Sequence, residues 1–177
     1  MQKIIMTLFA LVALNSAQAQ TKKASSDESL VFNKGAKVAN VGIALGSNLG
    51  IPVGLGFEYG VTDKIGIGAA LSYAQRSYKL VGTDKYKISS FLIGARGNYH
   101  FFMKDKIDVY GGVTLGFNVA SVKYPSTYPA FLQTAKAGGV IWAGVVGARY
   151  YFKPTLAVYA EAGYGLGFLT VGVAKKF

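Results

Sequence analysis

Five charged side chains fall inside otherwise apolar, alternating segments: Glu58, Arg96, Asp108, Arg149 and Glu161. Three acids and two bases in such places form either a paired structural network or, where water reaches them, a polar path for protons or small ions. Unpaired charge away from water is costly, so pairing is expected. His100 is the single histidine. A hydrolytic histidine needs a nucleophile and an orienting acid around it, and Ser89 and Ser90 lie toward the other end of the same segment. A metal needs further ligands, and the chain has no cysteine. His100 is therefore read as an inert interior or turn-proximal residue. No catalytic, cofactor-binding or metal site is expected. Gly66-Ile67-Gly68 and Gly163-Tyr164-Gly165 have the glycine spacing of a nucleotide loop. Neither precedes a helical pattern, so the dinucleotide fingerprint lacks its context.

What must position the five charges is a period of two, running from Asn40 to the end of the chain. Val41, Ile43 and Leu45 alternate with Asn40, Gly42 and Ala44. Val53, Leu55, Phe57 and Tyr59 alternate with Gly54, Gly56, Glu58 and Gly60. The same alternation recurs over 65–73, 90–101, 107–118, 142–152, 156–164 and 169–177. That makes about eight strands of roughly ten residues, as a small membrane barrel requires. All five charges share the face that carries most of the glycine. The other face is almost purely apolar and aromatic. A soluble, lipocalin-like barrel would reverse this arrangement, so the charged face is read as inward and the apolar face as lipid-facing. An eight-stranded interior is just wide enough to be filled by side chains.

Composition agrees with this reading. Hydrophobic residues make up 51% and charged residues only 15%, with 23 glycines and 12 tyrosines, which is odd for a soluble domain. Beyond residue 19 there is no apolar run of about 18 residues to form a membrane-crossing helix. The closed barrel is the other structure that satisfies its backbone in lipid. At the start, Lys3, the apolar run Ile4 to Leu14 and Ala17-Gln18-Ala19 have the form of a cleavable export signal. Residues 1–19 are read as that signal, with a mature chain from Gln20. Without cysteine there is no lipid attachment of the lipoprotein kind. The mature chain has 18 basic and 8 acidic residues, a formal charge of +10. Export directs that charge to an anionic membrane surface rather than to nucleic acid. Residues 20–37 are polar and mixed in charge, and are read as a flexible periplasmic segment ahead of a barrel over 38–177. Leu30-Val31-Phe32 is too short to decide whether it docks.

The connections alternate in length. Thr62-Asp63-Lys64, Met103 to Lys106 and Lys153-Pro154-Thr155 are tight turns. Arg76–Lys87 and Ser121–Gly138 are long, whereas Ser47–Pro52 and Gly165–Gly167 are short. Short periplasmic turns and longer external loops characterise this class. Both termini are thus placed in the periplasm, with strands three to six protruding outward. Tyr59, Tyr99, Phe101, Tyr150, Phe152 and Phe177 would form one aromatic girdle, and Tyr73, Phe91, Trp142 and Tyr164 the other. Arg76, Lys79, Lys85, Lys87, Lys123 and Lys136 fall at the external rim, where lipopolysaccharide phosphates are available as partners. Plain loop solubility explains them equally well. The aromatic, proline-bearing stretch Tyr124 to Phe131 makes residues 121–138 the candidate surface for a protein partner.

The export signal, eight alternating strands and terminal Phe177 together resemble the small outer-membrane barrel family that includes OmpX and the transmembrane domain of OmpA. The resemblance covers residues 38–177, and the short turns and glycine-rich strands also look like barrels of Bacteroidota. It implies a bacterial outer-membrane location and insertion by the barrel-assembly machinery, which reads the last strand. Val171, Val173 and Phe177 match that signal, and Lys175 departs from it. The expected role is structural or interactive: envelope integrity, lipopolysaccharide contact, or binding through the external loops. A small-solute or ion channel is the alternative. An accessory of an envelope or secretion complex working through residues 20–37 is a further one. A lipid-modifying enzyme is disfavoured by the isolated histidine.

Overall fold

Alternation this regular leaves each strand with a largely apolar face at membrane level, and only closure removes both sheet edges from lipid. The computed structural model, which describes residues 31–79, 85–124, 134–165 and 167–177, is such a closed barrel. Its strands are β1 (Lys37–Leu45), β2 (Val53–Gly60), β3 (Ile65–Lys79), β4 (Lys85–Lys104), β5 (Ile107–Lys123), β6 (Thr134–Lys153), β7 (Leu156–Tyr164) and β8 (Leu169–Lys176). Each pairs antiparallel with its sequence neighbours, and β8 closes on β1.

Outward positions are the apolar ones: Ile43, Leu55, Phe57, Ile67, Ile93, Leu115, Val146 and Val158 are all exposed. A one-residue slip would turn this whole set inward, so the pattern itself pins the register. The ten aromatics assigned to the two girdles are all exposed.

The structure corrects two expectations. The long connections are mostly strand. The β3–β4 pairing continues to Lys79↔Lys85 and the β5–β6 pairing to Lys123↔Thr134. Pairing of β2 with β3 stops at Val53↔Tyr73, and of β6 with β7 at Gly144↔Tyr164. A four-stranded ribbon of β3–β6 therefore rises about 20 Å past the barrel rim, at roughly 3.3 Å per residue. In this stretch the outward face turns polar, with Ser77, Lys79, Lys85 and Lys87, while Tyr78, Tyr86, Ile88 and Val122 lie on the inner face, so the outward hydrophobic set that marks the strands below disappears. Residues 125–133, the centre of the candidate partner surface, lie outside the described residues.

The second correction concerns the segment read as flexible. From Val31 onward it is docked, with Val31, Phe32 and Ala36 buried. Gly35 N–H donates to Gly60 O at 2.8 Å, Gly60 N–H to Ala36 O at 2.8 Å, and Lys34 N–H to Asp63 Oδ1 at 3.0 Å. The tight turn uses Gly35 at φ +85°, a left-handed conformation open to glycine. Phe32 enters the barrel and joins Val38, Tyr151, Ala157, Tyr159 and Ala174 in an apolar cluster, with Met103 against it. This cluster stoppers the end that carries the short turns. Residues 1–30, the expected export signal among them, lie outside the described residues.

Candidate functional site

Inside the barrel, next to the stopper, four charged or polar side chains close a ring. Glu58 comes from β2, His100 from β4, Asp108 from β5 and Arg149 from β6. His100 Nδ1 lies 2.6 Å from Asp108 Oδ1 and its Nε2 lies 2.8 Å from Glu58 Oε1. Arg149 donates to the remaining oxygens, Nη2 to Glu58 Oε2 at 2.6 Å and Nη1 to Asp108 Oδ2 at 3.3 Å. All four are buried. Both histidine nitrogens face carboxylate oxygens, and the imidazolium form supplies a proton to each. The ring of four is then neutral. Phe32 covers it from below, stacked on His100 with centroids 3.7 Å apart and planes 11° from parallel.

A second network lies above. Arg96 holds Glu161 with two bonds, Nη2 to Oε1 at 2.6 Å and Nη1 to Oε2 at 3.2 Å, and its Nε donates to Asn98 Oδ1 at 2.9 Å. Tyr110 links the layers. Its hydroxyl donates to Glu161 Oε1 at 2.7 Å, and the Arg149 guanidinium sits 4.4 Å over its ring. Glycine makes room for these groups: a Cβ at Gly66 would collide with the Glu58 carboxylate, and one at Gly147 would meet Tyr110 and Glu161 at 2.7 and 2.9 Å.

The structure thus brings Glu58, Arg96, Asp108, Arg149 and Glu161 together as two joined networks. It places His100 in the interior, one of the two expected positions, and corrects only its inertness, since it is the central link between two carboxylates. Sequence reasoning missed it along with Phe32, Asn98 and Tyr110. One signal was available. Three interior acids against two bases leave one charge unmatched, and His100 shares the inward parity of Arg96 on β4. Ser89 and Ser90 are not brought to it; Ser90 instead donates to Asn118 Oδ1 at 2.6 Å.

Of the six basic rim residues, five lie on the outward face of the ribbon. Lys79 stands directly opposite Lys85, Lys87 opposite Lys123, and Lys136 opposite Ser121. Directly opposed side chains have Cβ atoms about 5 Å apart, and like charges there repel. None of the five forms an ion pair among the described residues. Lys136 ends a Gln75–Ser89–Ser121 row below the other four, and a Tyr73–Phe91–Val119 row lies beneath it, so the outward face passes from ammonium to hydroxyl to aromatic. Arg76 departs from this group. It lies on the inner face, donates to Asn48 O at 3.1 Å and caps the Tyr78 ring at 5.2 Å, clamping the β1–β2 connection. At the other end of the chain, Val171 and Val173 lie on the outward face of β8 and Phe177 is exposed just past its end, with the Lys175 ammonium 5.1 Å from the Phe177 ring.

A closed barrel with charge inside and apolar residues outside is the arrangement of an outer-membrane protein, and the outer membrane protein beta-barrel domain family matches residues 7–171. The chain belongs to that family. It is therefore a bacterial outer-membrane barrel, and its exposed apolar band is the surface that meets lipid. Among solved structures it is similar to the N-terminal β-barrel of Pseudomonas aeruginosa OprF, with 18% identity, a TM-score of 0.55, and coverage of 81% of this chain and 98% of that one. It is similar to Neisserial surface protein A, with 19% identity, a TM-score of 0.52, and coverage of 80% and 94%. It is also similar to Ail of Yersinia pestis in complex with the heparin analogue sucrose octasulfate, with 15% identity, a TM-score of 0.52, and coverage of 81% and 95%. Identities this low establish the shared fold alone. A search of curated proteins found no match.

Proposed function

We propose that this outer-membrane barrel is a closed structural protein whose ribbon holds the phosphates of lipopolysaccharide. In this reading residues 1–19 direct export, the short turns and both termini face the periplasm, and the β3–β6 ribbon stands in the outer leaflet and beyond it. Val171, Val173 and Phe177 are the positions read during assembly. The observation that carries the proposal is the ladder of Lys79, Lys85, Lys87, Lys123 and Lys136. Opposed lysines that form no ion pair among the described residues repel one another, and an anion between them relieves that repulsion. The ladder sits on the lipid-facing side, one hydroxyl row above the aromatic row, at the depth of a headgroup.

The test is binding of purified lipopolysaccharide to the refolded mature chain. Hydrogen bonds to charged groups contribute about 1.5–3 kcal/mol each. Lys87→Gln with Lys123→Gln should therefore weaken binding by at least about tenfold. Unchanged binding would overturn the proposal. A soluble sulfated polyanion is the second reading. It is suggested by the sucrose octasulfate in the Ail complex, and competition by that compound for the same lysines would favour it.

A further inference from the structure

A different basic site lies at the short-turn end. The β4–β5 register slips between His100 and Phe102, so that His100 pairs with Tyr110 and Phe102 with Val109. This bulge leaves Phe101 unpaired and turns two consecutive aromatics outward, Phe101 at 53% and Phe102 at 49% exposure. Bulges re-aim side chains in this way. The slip also reverses the parity of the next two residues. Met103 now points inward to the stopper, and Lys104 points outward opposite Ile107. Ile107 in turn stands opposite Tyr150 on β6. Between Phe102, Ile107 and Tyr150 the surface sinks into a groove of about 310 Å³, closed on the turn side by Lys104, Asp105 and Lys106. Asp105 adopts φ 50°, which folds the turn tightly and holds the two lysines on either side of it. Neither lysine forms an ion pair among the described residues, Asp105 included.

We infer that this groove binds an anionic phospholipid of the periplasmic leaflet. The phosphate lies between the Lys104 and Lys106 ammoniums, and the glycerol and first acyl carbons lie on Phe102, Ile107 and Tyr150. Charge complementarity selects the occupant. Two lysines against one aspartate leave a net positive turn, placed above an apolar groove that already faces lipid. A zwitterionic headgroup carries its own cation into the same site and gains less. The inference rests on the proposed orientation, in which the short turns meet the phospholipid leaflet.

The experiment is native mass spectrometry of the refolded mature chain, released from nanodiscs of equal phosphatidylglycerol and phosphatidylcholine. Basic residues near a lipid surface contribute enough for two lysines to give about a tenfold preference for phosphatidylglycerol. Lys104→Gln with Lys106→Gln should abolish that preference, Lys104→Arg with Lys106→Arg should keep it, and Asp105→Asn should raise it. The ribbon pair Lys87→Gln with Lys123→Gln should leave it intact. Equal retention of both lipids, or loss only in the ribbon pair, would overturn the inference. Orientation is checked separately. The chain has no cysteine, so Thr155→Cys in the β6–β7 turn reports its side uniquely. Labelling of intact cells by an impermeant thiol reagent would refute the orientation itself, whatever the lipid result.

Discussion

The ring of Glu58, His100, Asp108 and Arg149 makes a quantitative prediction about coupling. Replacing Arg149 by Met removes the donors at 2.6 and 3.3 Å and leaves Glu58 Oε2 and Asp108 Oδ2 unpartnered inside the barrel. Breaking a buried pair from one side costs about 3–5 kcal/mol. With a urea slope near 2 kcal/mol per molar, the unfolding midpoint should fall by about 2 M. Glu58→Gln alone removes a charge from the other side and leaves the Arg149 and His100 cations facing one carboxylate. The double variant restores neutrality, since one imidazolium then faces one carboxylate. It should be more stable than the sum of the single losses by about 1–3 kcal/mol. The assay is urea unfolding of the refolded barrel in micelles. Fluorescence can be read from Trp142, the only tryptophan, whose side chain leaves an exposed outward site in the apolar band on unfolding. Additive losses, within about 0.5 kcal/mol, would show that the four groups do not act as a unit.

Three further outcomes are expected from the same geometry. Phe32→Ala removes the ring stacked on His100 and empties the centre of the stopper, so the urea midpoint should fall by about 1.5–2.5 M, from a loss of about 3–5 kcal/mol, while conductance stays near silent because the charge networks above still close the lumen; an unchanged midpoint would show that Phe32 is not a stopper. Gly66→Val places side-chain atoms where the Glu58 carboxylate lies, and a loss of several kcal/mol or failure to refold is expected, against a near-neutral effect at Gly97, where a Cβ would meet nothing within 4 Å. Removing Phe177 should lower the folded fraction recovered from the outer membrane while leaving refolding in detergent unchanged, because the residue is exposed just past the end of β8 and is proposed to act in assembly.

The barrel is legible in the sequence because lipid imposes a strict code. Every membrane-level strand must alternate, so Val41, Ile43 and Leu45 read as clearly as Leu169, Val171 and Val173. The code lapses where the outward face leaves the lipid. Ser77, Lys79, Lys87 and Lys136 put polar groups where the strands below carry apolar ones, so the outward hydrophobic signal is lost and the ribbon reads as loop. Val31-Phe32 is illegible for a different reason. A two-residue insertion into a lumen has no period, and its burial depends on a cavity that exists only once β1 and β8 have closed. His100 lies between these cases. Its parity is visible, but its partners come from β2 and β5, so its role depends on contacts between strands distant in sequence, such as Glu58 and His100. The bulge after His100 is similarly hidden, and with it the outward turn of Phe102 and Lys104.

Whether such an interior can conduct is decided by what its charges already do. Each carboxylate of the lower ring gives one oxygen to His100 and the other to Arg149, and Glu161 gives both to Arg96 with Tyr110 added. No interior carboxylate among the described residues keeps an oxygen spare for a passing ion, and a file of water would have to separate at least one of these pairs. At about 3–5 kcal/mol, an open state would be populated about once in a hundred to once in several thousand. With His100 counted as imidazolium the six interior charges cancel, so the excess positive charge of the barrel sits at its two ends. A neutral, locked lumen between two lysine-bearing rims is suited to holding anionic surfaces rather than moving ions between them. The specific chemistry of this chain is therefore to be sought on its outward lysines.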